Sequence, residues 1–170
     1  MTSYYLLHDS PVGELLLVSN GAAITDLHIT AGKYVPAVHP DWIRDDRHAV
    51  LQHARRELDG YFAGQLRTFS VPLDPRGTDF QKRAWAALSR IPFGEIRTYG
   101  QQAHAIGRPT ALRAVGAANG RNPIGIIVPC HRVIGANGTM TGYAGGLGNK
   151  AFLLKLEAAH CGNGPGFELT

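Results

Sequence analysis

The sequence predicts an α/β protein of the α+β kind, with an antiparallel sheet and one helix followed by a mostly helical part. Short apolar runs separated by turn residues fill the first 28 positions, and helical spacing of apolar residues begins near His48. Two helix-capping sequences follow residue 77. With 170 residues, 44% of them hydrophobic, the chain can bury a core without disulfides or a structural metal.

Three strands are predicted at the N-terminus. Residues 3–9 and 14–19 are apolar runs, and a third follows over residues 22–28. Asn20-Gly21 favours a type I′ hairpin between the second and third strands, so the three form an antiparallel meander. Residues 30–47 mix two prolines with charges and predict a loop.

A helix and a linker complete the predicted first part. Apolar residues follow i, i+3/i+4 spacing from His48, and Gly64 is the stop signal. Residues 67–73 predict a further strand, and residues 72–77 read as a linker. We therefore expect one domain over residues 1–75 and another over 76–170. The helical positions are Val50, Leu51, Ala54, Leu58, Tyr61 and Phe62.

The charge changes sign at the same place. Residues 1–75 hold six Lys/Arg and nine Asp/Glu, a net charge of −3, while residues 76–170 hold eleven and four, a net charge of +7. The cations are spread along the sequence, so a folded face that meets a polyanion is one interpretation, and an ordinary basic domain is the other.

The second part begins with capped helices. Thr78 to Gln81 and Thr98 to Gln101 each form a capping box, and the second opens a short helix that ends near Ile106. Gly107-Arg108-Pro109 predicts a tight turn, and Thr110 is expected to cap a third helix that ends at Asn119-Gly120. Two short helices across such a turn suggest a helix-turn-helix, although plain bundles share the pattern.

The third helix is built of small residues around one cation, Arg113. Small residues let a helix backbone come close to another surface, which is either a neighbouring helix or a DNA groove. Because few polar side chains are present to read base edges, DNA binding through this helix would be independent of sequence.

Cys130 is the candidate nucleophile. It follows an apolar run, Gly125 to Val128, that predicts a buried strand, so a small buried hydrophobe is one interpretation. The alternative is a reactive thiol, because Pro129 fixes the backbone and His131 and Arg132 place positive charge beside the sulfur. Adjacent residues of a strand point to opposite faces, so His131 would need a water or a bent backbone to reach Cys130.

The segment Val128 to Gly135 resembles the active-site signature of the DNA alkyltransferases that repair guanine alkylated at its exocyclic oxygen. The Pro-Cys-His-Arg core at residues 129–132 is specific, and the similarity covers residues 78–158 closely. The surrounding matches are Arg113-Ala114-Val115-Gly116, Asn122-Pro123, residues 142–146, Lys150 and residues 153–157.

The resemblance implies a fold and an activity. The N-terminal sheet and helix would be ribonuclease-H-like, and the C-terminal domain would carry a winged helix-turn-helix. The partner would be double-stranded DNA containing alkylated guanine, and the alkylated nucleotide would be flipped out of the duplex. The alkyl group would pass irreversibly to Cys130, so each molecule reacts once.

The resemblance also implies catalytic roles. Cys130 would be the nucleophile, His131 would take its proton through a water, and Glu157 would orient the histidine. Tyr99 would donate to the leaving guanine oxygen, and Asn122 would brace the turn that carries the active site.

Two further groups of residues are implied to contact DNA. Arg113 would fill the space vacated by the flipped nucleotide, from the minor groove; the other expected DNA contacts are Ala111, Ala114, Gly116 and Thr78. The guanine edge would be read largely by backbone groups; the expected base-binding residues are Tyr99, Cys130, Val133, Tyr143 and Ala144. Leu112 stands where the family usually has alanine, so a bulkier side chain lies on the helix expected to enter the groove.

Other expectations concern cofactors and location. No glycine-rich nucleotide loop follows a strand, and no cysteine precedes Cys130, so we expect no cofactor and no metal. Two cysteines and no secretory or membrane-spanning pattern predict a cytoplasmic protein. We expect a monomer in solution, and cooperative binding along DNA is left open.

Three other functions fit parts of the sequence. A lesion-binding protein would flip alkylated guanine without reacting, but relatives of that type lack the cysteine. A cysteine hydrolase would use Cys130 and His131 and turn over many times, although adjacent residues give poor general-base geometry. A transcriptional regulator would need more polar residues on the third helix.

Overall fold

The computed structural model of the chain describes residues 1–161. It divides into two compact units, the first formed by residues 1–76 with 123–125 and the second by residues 77–122 with those from 126 onward. No helix of the described residues is long and apolar enough to cross a membrane.

The first unit contains a four-stranded sheet in the order β3-β2-β1-β4. β1 (Tyr4–Ser10), β2 (Gly13–Ser19) and β3 (Ile24–Ile29) form the antiparallel meander that the sequence predicts. β4 (Ile43–Arg44) lies parallel to β1, within the segment expected to be a loop. It forms because Ile43 and Asp45 donate their amides to the carbonyls of Ser3 and Tyr5, at the start of β1.

The helix α1 (Ala49–Phe62) contacts this sheet as its periodicity predicts. Its buried residues recur every three or four positions, so one apolar face packs inward. They are Leu51, Ala54, Leu58 and Tyr61.

Two local expectations for the first unit are wrong. The turn after β2 is not type I′, because of its two central residues only Gly21 has a positive φ, +100°. Asn20 instead accepts the amides of Ala22 and Ala23 on its side-chain oxygen, and β3 begins two residues late. Residues 67–73 form no strand apart from one bridge at Leu73, because the Glu57 carboxylate accepts the amides of Ser70 and Val71.

Within its described residues, the second unit is mostly helical. Its first two helices have the predicted capping boxes, in which Gln81 and Gln101 each exchange hydrogen bonds with a threonine three residues earlier. A 3₁₀ turn, Cys130–Arg132, directly precedes the short strand Val133–Ile134. The other elements are α2 (Asp79–Ser89), β5 (Arg97–Thr98), α3 (Tyr99–Ala105), α4 (Leu112–Gly120), β6 (Val133–Ile134), parallel to β5, and α5 (Leu147–His160).

The connection between α3 and α4 differs from the expected three-residue turn. It spans residues 106–111, and Ala111 rather than Thr110 is the N-cap of α4. The Ala111 amide donates to the carbonyl of Arg108, so an extra turn precedes the helix. The two helices still contact each other, as a helix-turn-helix requires.

The predicted strand over residues 125–128 is wrong. The segment is buried but forms turns, and Ile126 has a φ of +69°, which no strand residue adopts. The amide of Gly125 donates to Leu27 in the first unit, so it does not extend a strand towards Cys130.

A buried polar network joins three helices of the second unit. Gln102 on α3 and Asn119 on α4 exchange two side-chain hydrogen bonds of 2.8 and 2.7 Å, and Gln102 also donates to the Ala84 carbonyl on α2. The indole of Trp85 donates to the Ala118 carbonyl at 2.8 Å. These bonds fix α4, which carries Arg113, against α2 and α3.

Replacing one member of the amide pair is expected to destabilise the protein more than replacing both. Gln102→Leu or Asn119→Leu leaves a buried amide without its partner and costs about 2 kcal/mol. The double variant Gln102→Leu/Asn119→Leu removes both polar groups and recovers more than half of the summed loss of the two single variants. Urea unfolding of the four proteins measures this cycle, and simple additivity would contradict it.

Candidate active site

The 3₁₀ turn at Cys130–Arg132 supplies the bent backbone that the sequence analysis required. The turn is closed by the Arg132 amide, which donates to the Pro129 carbonyl. His131 and Arg132 are buried, whereas Cys130 keeps part of its surface exposed. One short turn therefore sends the two basic side chains into the protein, whereas the Cys130 residue stays partly exposed.

Glu157 on α5 is the partner of both buried basic side chains. Its carboxylate accepts from Nε2 of His131 at 2.6 Å and from Nε and a terminal nitrogen of Arg132 at 2.7 and 3.1 Å. The Gly94 amide donates to the same carboxylate at 3.3 Å. Arg132 also donates to the Ile91 carbonyl at 2.6 Å, so the whole cluster is tied to the end of α2.

These contacts set the protonation states of Glu157 and His131. Burial alone would raise the pKa of Glu157, but His131 and Arg132 outweigh it and hold that pKa well below its usual range. Burial lowers the pKa of His131 more than Glu157 raises it, so the imidazole is neutral at pH 7.

The hydrogen bond to Glu157 also selects the tautomer of His131. An ionised carboxylate only accepts, so Nε2 must carry the ring proton and Nδ1 keeps its lone pair. Nδ1 is buried and hydrogen-bonds to none of the described residues. The site therefore presents a neutral base with an available lone pair.

Cys130 rests as a thiol. Burial raises its pKa above 9.0, while the Asn122 side chain and the charge of Lys150 partly oppose this. Asn122 also donates to the Val128 carbonyl at 2.8 Å, which bridges the turn before the cysteine. The bracing role of Asn122 stays a prediction.

Lys150 is a buried cation on α5 that the sequence analysis treated only as a matching position. Its Nζ donates to the carbonyls of Val133 and Thr141 at 2.6 and 2.8 Å, so it closes the loop between β6 and α5. Burial lowers the pKa of Lys150 to about 8, against the opposing charge of Cys130, and the side chain remains mostly protonated at pH 7.

Tyr143 lies on the loop between β6 and α5, and Tyr99 on α3 contacts that loop through Thr141. Burial raises the pKa of Tyr143 well above 10.0, and the charges of Cys130 and Glu157 raise it further, so the phenol stays neutral. The hydroxyl of Tyr99 accepts from Thr141 at 3.2 Å, which leaves its own proton available. Ala144 is partly exposed.

The predicted DNA-binding residues lie mostly on one helix. Arg113 and Ala114 on α4 are exposed, whereas Val115 is buried against the rest of the unit. Arg113 forms a salt bridge with none of the described carboxylates, and Glu95 pairs with Arg97 at 3.1 Å. The remaining predicted contacts are placed as follows: Ala111 and Gly116 are partly exposed on α4 and its N-cap, and Thr78 caps α2.

The sequence alone does not indicate that Arg132 binds Glu157 or that Lys150 holds the loop between β6 and α5. Lys150, Leu153, Leu154 and Glu157 follow i, i+3, i+4, i+7 spacing and form the buried face of α5. Two charged residues on an otherwise apolar helix face were the sequence signal that these side chains are buried and paired. For Arg132 no spacing indicates that its partner lies 25 residues along the chain.

Two family models match the chain. One describes the ribonuclease-like domain of 6-O-methylguanine DNA methyltransferase and matches residues 3–75; the other describes its DNA binding domain and matches residues 79–159. The chain belongs to the 6-O-methylguanine DNA methyltransferase family. This confirms the family and the two-part α/β fold predicted from the sequence; the wing of the helix-turn-helix stays a prediction.

Relatives agree over most of the chain. The methylated-DNA–protein-cysteine methyltransferase of Methanosarcina acetivorans is 51% identical over 92% of this chain and 99% of its own length. The crystal structure of Mycobacterium tuberculosis O6-methylguanine methyltransferase gives a TM-score of 0.86 at 50% identity, covering 93% of this chain and 94% of that one. The M. tuberculosis protein in complex with DNA gives 0.85 at 48%, covering 94% of each.

Glu157→Gln is expected to lower stability in a pH-dependent way. The folded-state pKa of Glu157 lies below its ordinary value of 4.5, so its contribution is present above pH 4.5 and is lost as the pH falls below it. The variant should lose about 3 kcal/mol at neutral pH, because Arg132 remains buried without its counter-charge. Unfolding free energies of the two proteins should converge below pH 4.5, and a constant difference would contradict the assignment.

Lys150→Met is expected to destabilise the second unit by about 3 kcal/mol, because two carbonyls lose a charged donor. Lys155→Met is the matched control, since Lys155 lies exposed on the same helix. Urea unfolding measures both variants. Equal stabilities would show that Lys150 does not hold the loop.

Proposed function

We propose that this family member repairs DNA by moving the methyl group of 6-O-methylguanine from duplex DNA onto the sulfur of Cys130. The carbon–sulfur bond forms as the carbon–oxygen bond breaks, and the electron pair of that bond stays on the guanine oxygen. The observation that carries the proposal is the buried Glu157–His131 pair immediately beside Cys130 in the chain.

Activation of the thiol is the first requirement. A thiol whose pKa is raised by burial must lose its proton before it attacks. Nδ1 of His131 receives this proton through one water, and the carboxylate of Glu157 stabilises the resulting imidazolium. Asn122 and Lys150 favour the thiolate as it forms.

Departure of guanine is the second requirement. The leaving oxygen gains negative charge, which a hydrogen-bond donor stabilises. Tyr99 supplies this donor, because its hydroxyl already accepts from Thr141 and keeps its own proton. The guanine anion takes up one proton at N1, which balances the proton lost by the Cys130 thiol, and neutral guanine departs with its carbonyl oxygen restored.

Recognition of the base relies mostly on backbone groups. The carbonyls of Cys130 and Val133 and the amide of Ala144 meet the guanine edge, and Tyr143 lines the site as a neutral phenol. In the free protein the Val133 carbonyl accepts from Lys150.

Delivery of the base requires that the nucleotide leave the duplex, since its alkyl carbon is buried in the stack. Arg113 fills the vacated space from the minor groove, and the small residues of α4 let the helix approach the DNA backbone. Ala111, Ala114, Gly116 and Thr78 make the remaining contacts. Such binding is independent of sequence and weakens with salt.

The product and setting follow from the chemistry. A thioether on Cys130 is stable, so each molecule reacts once and needs no cofactor. The proposal includes a monomeric protein in the cytoplasm. Both cysteines are free thiols, which fits a reducing compartment.

Mass spectrometry after incubation with duplex DNA carrying one 6-O-methylguanine tests the proposal. We expect one methyl group per protein, on the peptide that contains Cys130, and no second transfer at any DNA excess. Cys130→Ser should accept none, whereas Cys161→Ser should react at the wild-type rate.

Two results would contradict the proposal. Tight binding without a change in mass would leave a lesion-binding protein. Release of the methyl group over repeated turnovers would indicate a hydrolase.

A further inference from the structure

Arg132 is a buried cation that follows the base His131 in the chain but takes no part in the proposed transfer. Its Nε and Nη2 donate to the Glu157 carboxylate at 2.7 and 3.1 Å, and its Nη1 donates to the Ile91 carbonyl at 2.6 Å. The guanidinium also lies 5.8 Å from the ring centroid of Phe93, which is within the range of a cation–π contact. These contacts hold the charge of Arg132 in one place.

The acceptor positions of the Glu157 carboxylate are shared among four donors. Oε1 accepts from Nε of Arg132 and from the Gly94 amide, and Oε2 accepts from Nε2 of His131 and from Nη2 of Arg132. An ionised carboxylate has about four acceptor positions, so these donors fill it. The proton on Nε2 of His131 therefore stays on the ring, and the imidazole itself carries the positive charge once Nδ1 has received the thiol proton.

The charge of Arg132 changes how strongly the carboxylate favours that imidazolium. With Arg132 present, Glu157 already has a counter-charge, so protonation of His131 adds a second cation to a buried cluster. Without Arg132, the carboxylate would be an unpaired buried anion, and protonation of His131 would supply its counter-charge. His131 should therefore take up a proton at higher pH when Arg132 is absent.

The other charged groups around His131 do not replace this effect. Burial is the largest cause that lowers the pKa of His131, Glu157 opposes it, and the charges of Arg132 and Lys150 lower the pKa further. Lys150 donates to backbone carbonyls, and Cys130 rests as a thiol. The helix α2 also contacts the 3₁₀ turn, and its buried residues are uncharged. Arg132 is thus the cation that shares the carboxylate with His131.

We infer that Arg132 is a positioning residue that keeps His131 an uncharged base before methyl transfer, because it supplies the counter-charge that Glu157 would otherwise draw from the imidazole. A base that already carries the proton cannot accept one from the thiol of Cys130. Arg132 therefore extends the reactive range of the site to lower pH. The inference rests on the proposed function, since it concerns the proton acceptor of that reaction.

The test replaces Arg132 in two ways and uses Arg97 as the matched control. Arg132→Gln removes the charge, whereas Arg132→Lys keeps the charge and loses the forked hydrogen bonds. Arg97→Gln is the control, because Arg97 also pairs with a glutamate of the second unit, Glu95, at 3.1 Å. The measurements are the single-turnover rate of methyl transfer from saturating duplex DNA, from about pH 5 to about pH 9, and the titration midpoint of His131 by ¹⁵N NMR of the free protein.

For Arg132→Gln we expect the His131 midpoint to rise by about one pH unit, and the transfer rate below that midpoint to fall about fivefold to tenfold. Above the new midpoint the variant should equal or exceed the wild-type rate, because its ring is then neutral and more basic. Arg132→Lys should keep the wild-type midpoint and pH profile although it unfolds at a lower urea concentration. Arg97→Gln should keep the wild-type midpoint and profile.

A purely structural role of Arg132 would slow transfer by a similar factor at every pH. That result, or an unchanged His131 midpoint in Arg132→Gln, would overturn the inference. If Arg132→Gln does not fold, Arg132→Lys decides: a wild-type midpoint in this less stable variant supports the role of the charge, and a raised midpoint overturns it. Failure of the proposed function is distinguishable, because the wild-type protein would then take no methyl group, whereas the NMR titration would still measure the effect of Arg132 on His131.

Discussion

The carboxylate of Glu157 is the interaction on which the site depends. It is buried, ionised and surrounded by donors from His131, Arg132 and Gly94. A buried carboxylate is stable only when hydrogen bonds and opposite charge replace the water it has lost, and this one has both. Its charge fixes the proton of His131 on Nε2. The reactive geometry therefore follows from one ion pair network that folding must complete.

That network joins elements far apart in the chain. α5 supplies Glu157, the 3₁₀ turn supplies both basic side chains, and the Ile91 carbonyl holds Arg132 beyond the end of α2. Lys150, two helical turns earlier on the same face of α5, holds the loop that carries Tyr143. The same helix thus holds His131 and closes the loop between β6 and α5, while the amide pair of Gln102 and Asn119 fixes α4 against α3.

Local signals predicted the regular elements well. The capping residues Thr78 and Thr98 and the apolar stripe of α1 gave correct helices, because these interactions lie within a few residues. Errors arose where a distant partner takes the backbone donors. Glu57 takes the amides of Ser70 and Val71, and Leu27 takes that of Gly125, so neither segment forms the strand that its composition favours. The site residues were predicted from the resemblance carried by Pro-Cys-His-Arg. The pairing of Arg132 with Glu157 could not be predicted, because the two residues are brought together only by the fold.

Nitrogen NMR of the His131 ring tests the central claim most directly. Spectra of protein labelled with ¹⁵N at histidine, assigned with His131→Asn, distinguish a protonated ring nitrogen from one with a free lone pair. We predict a neutral ring at pH 7 with the proton on Nε2 and the lone pair on Nδ1. A proton on Nδ1, or a doubly protonated ring at this pH, would contradict the assignment of Glu157 as the group that prepares His131 as a base.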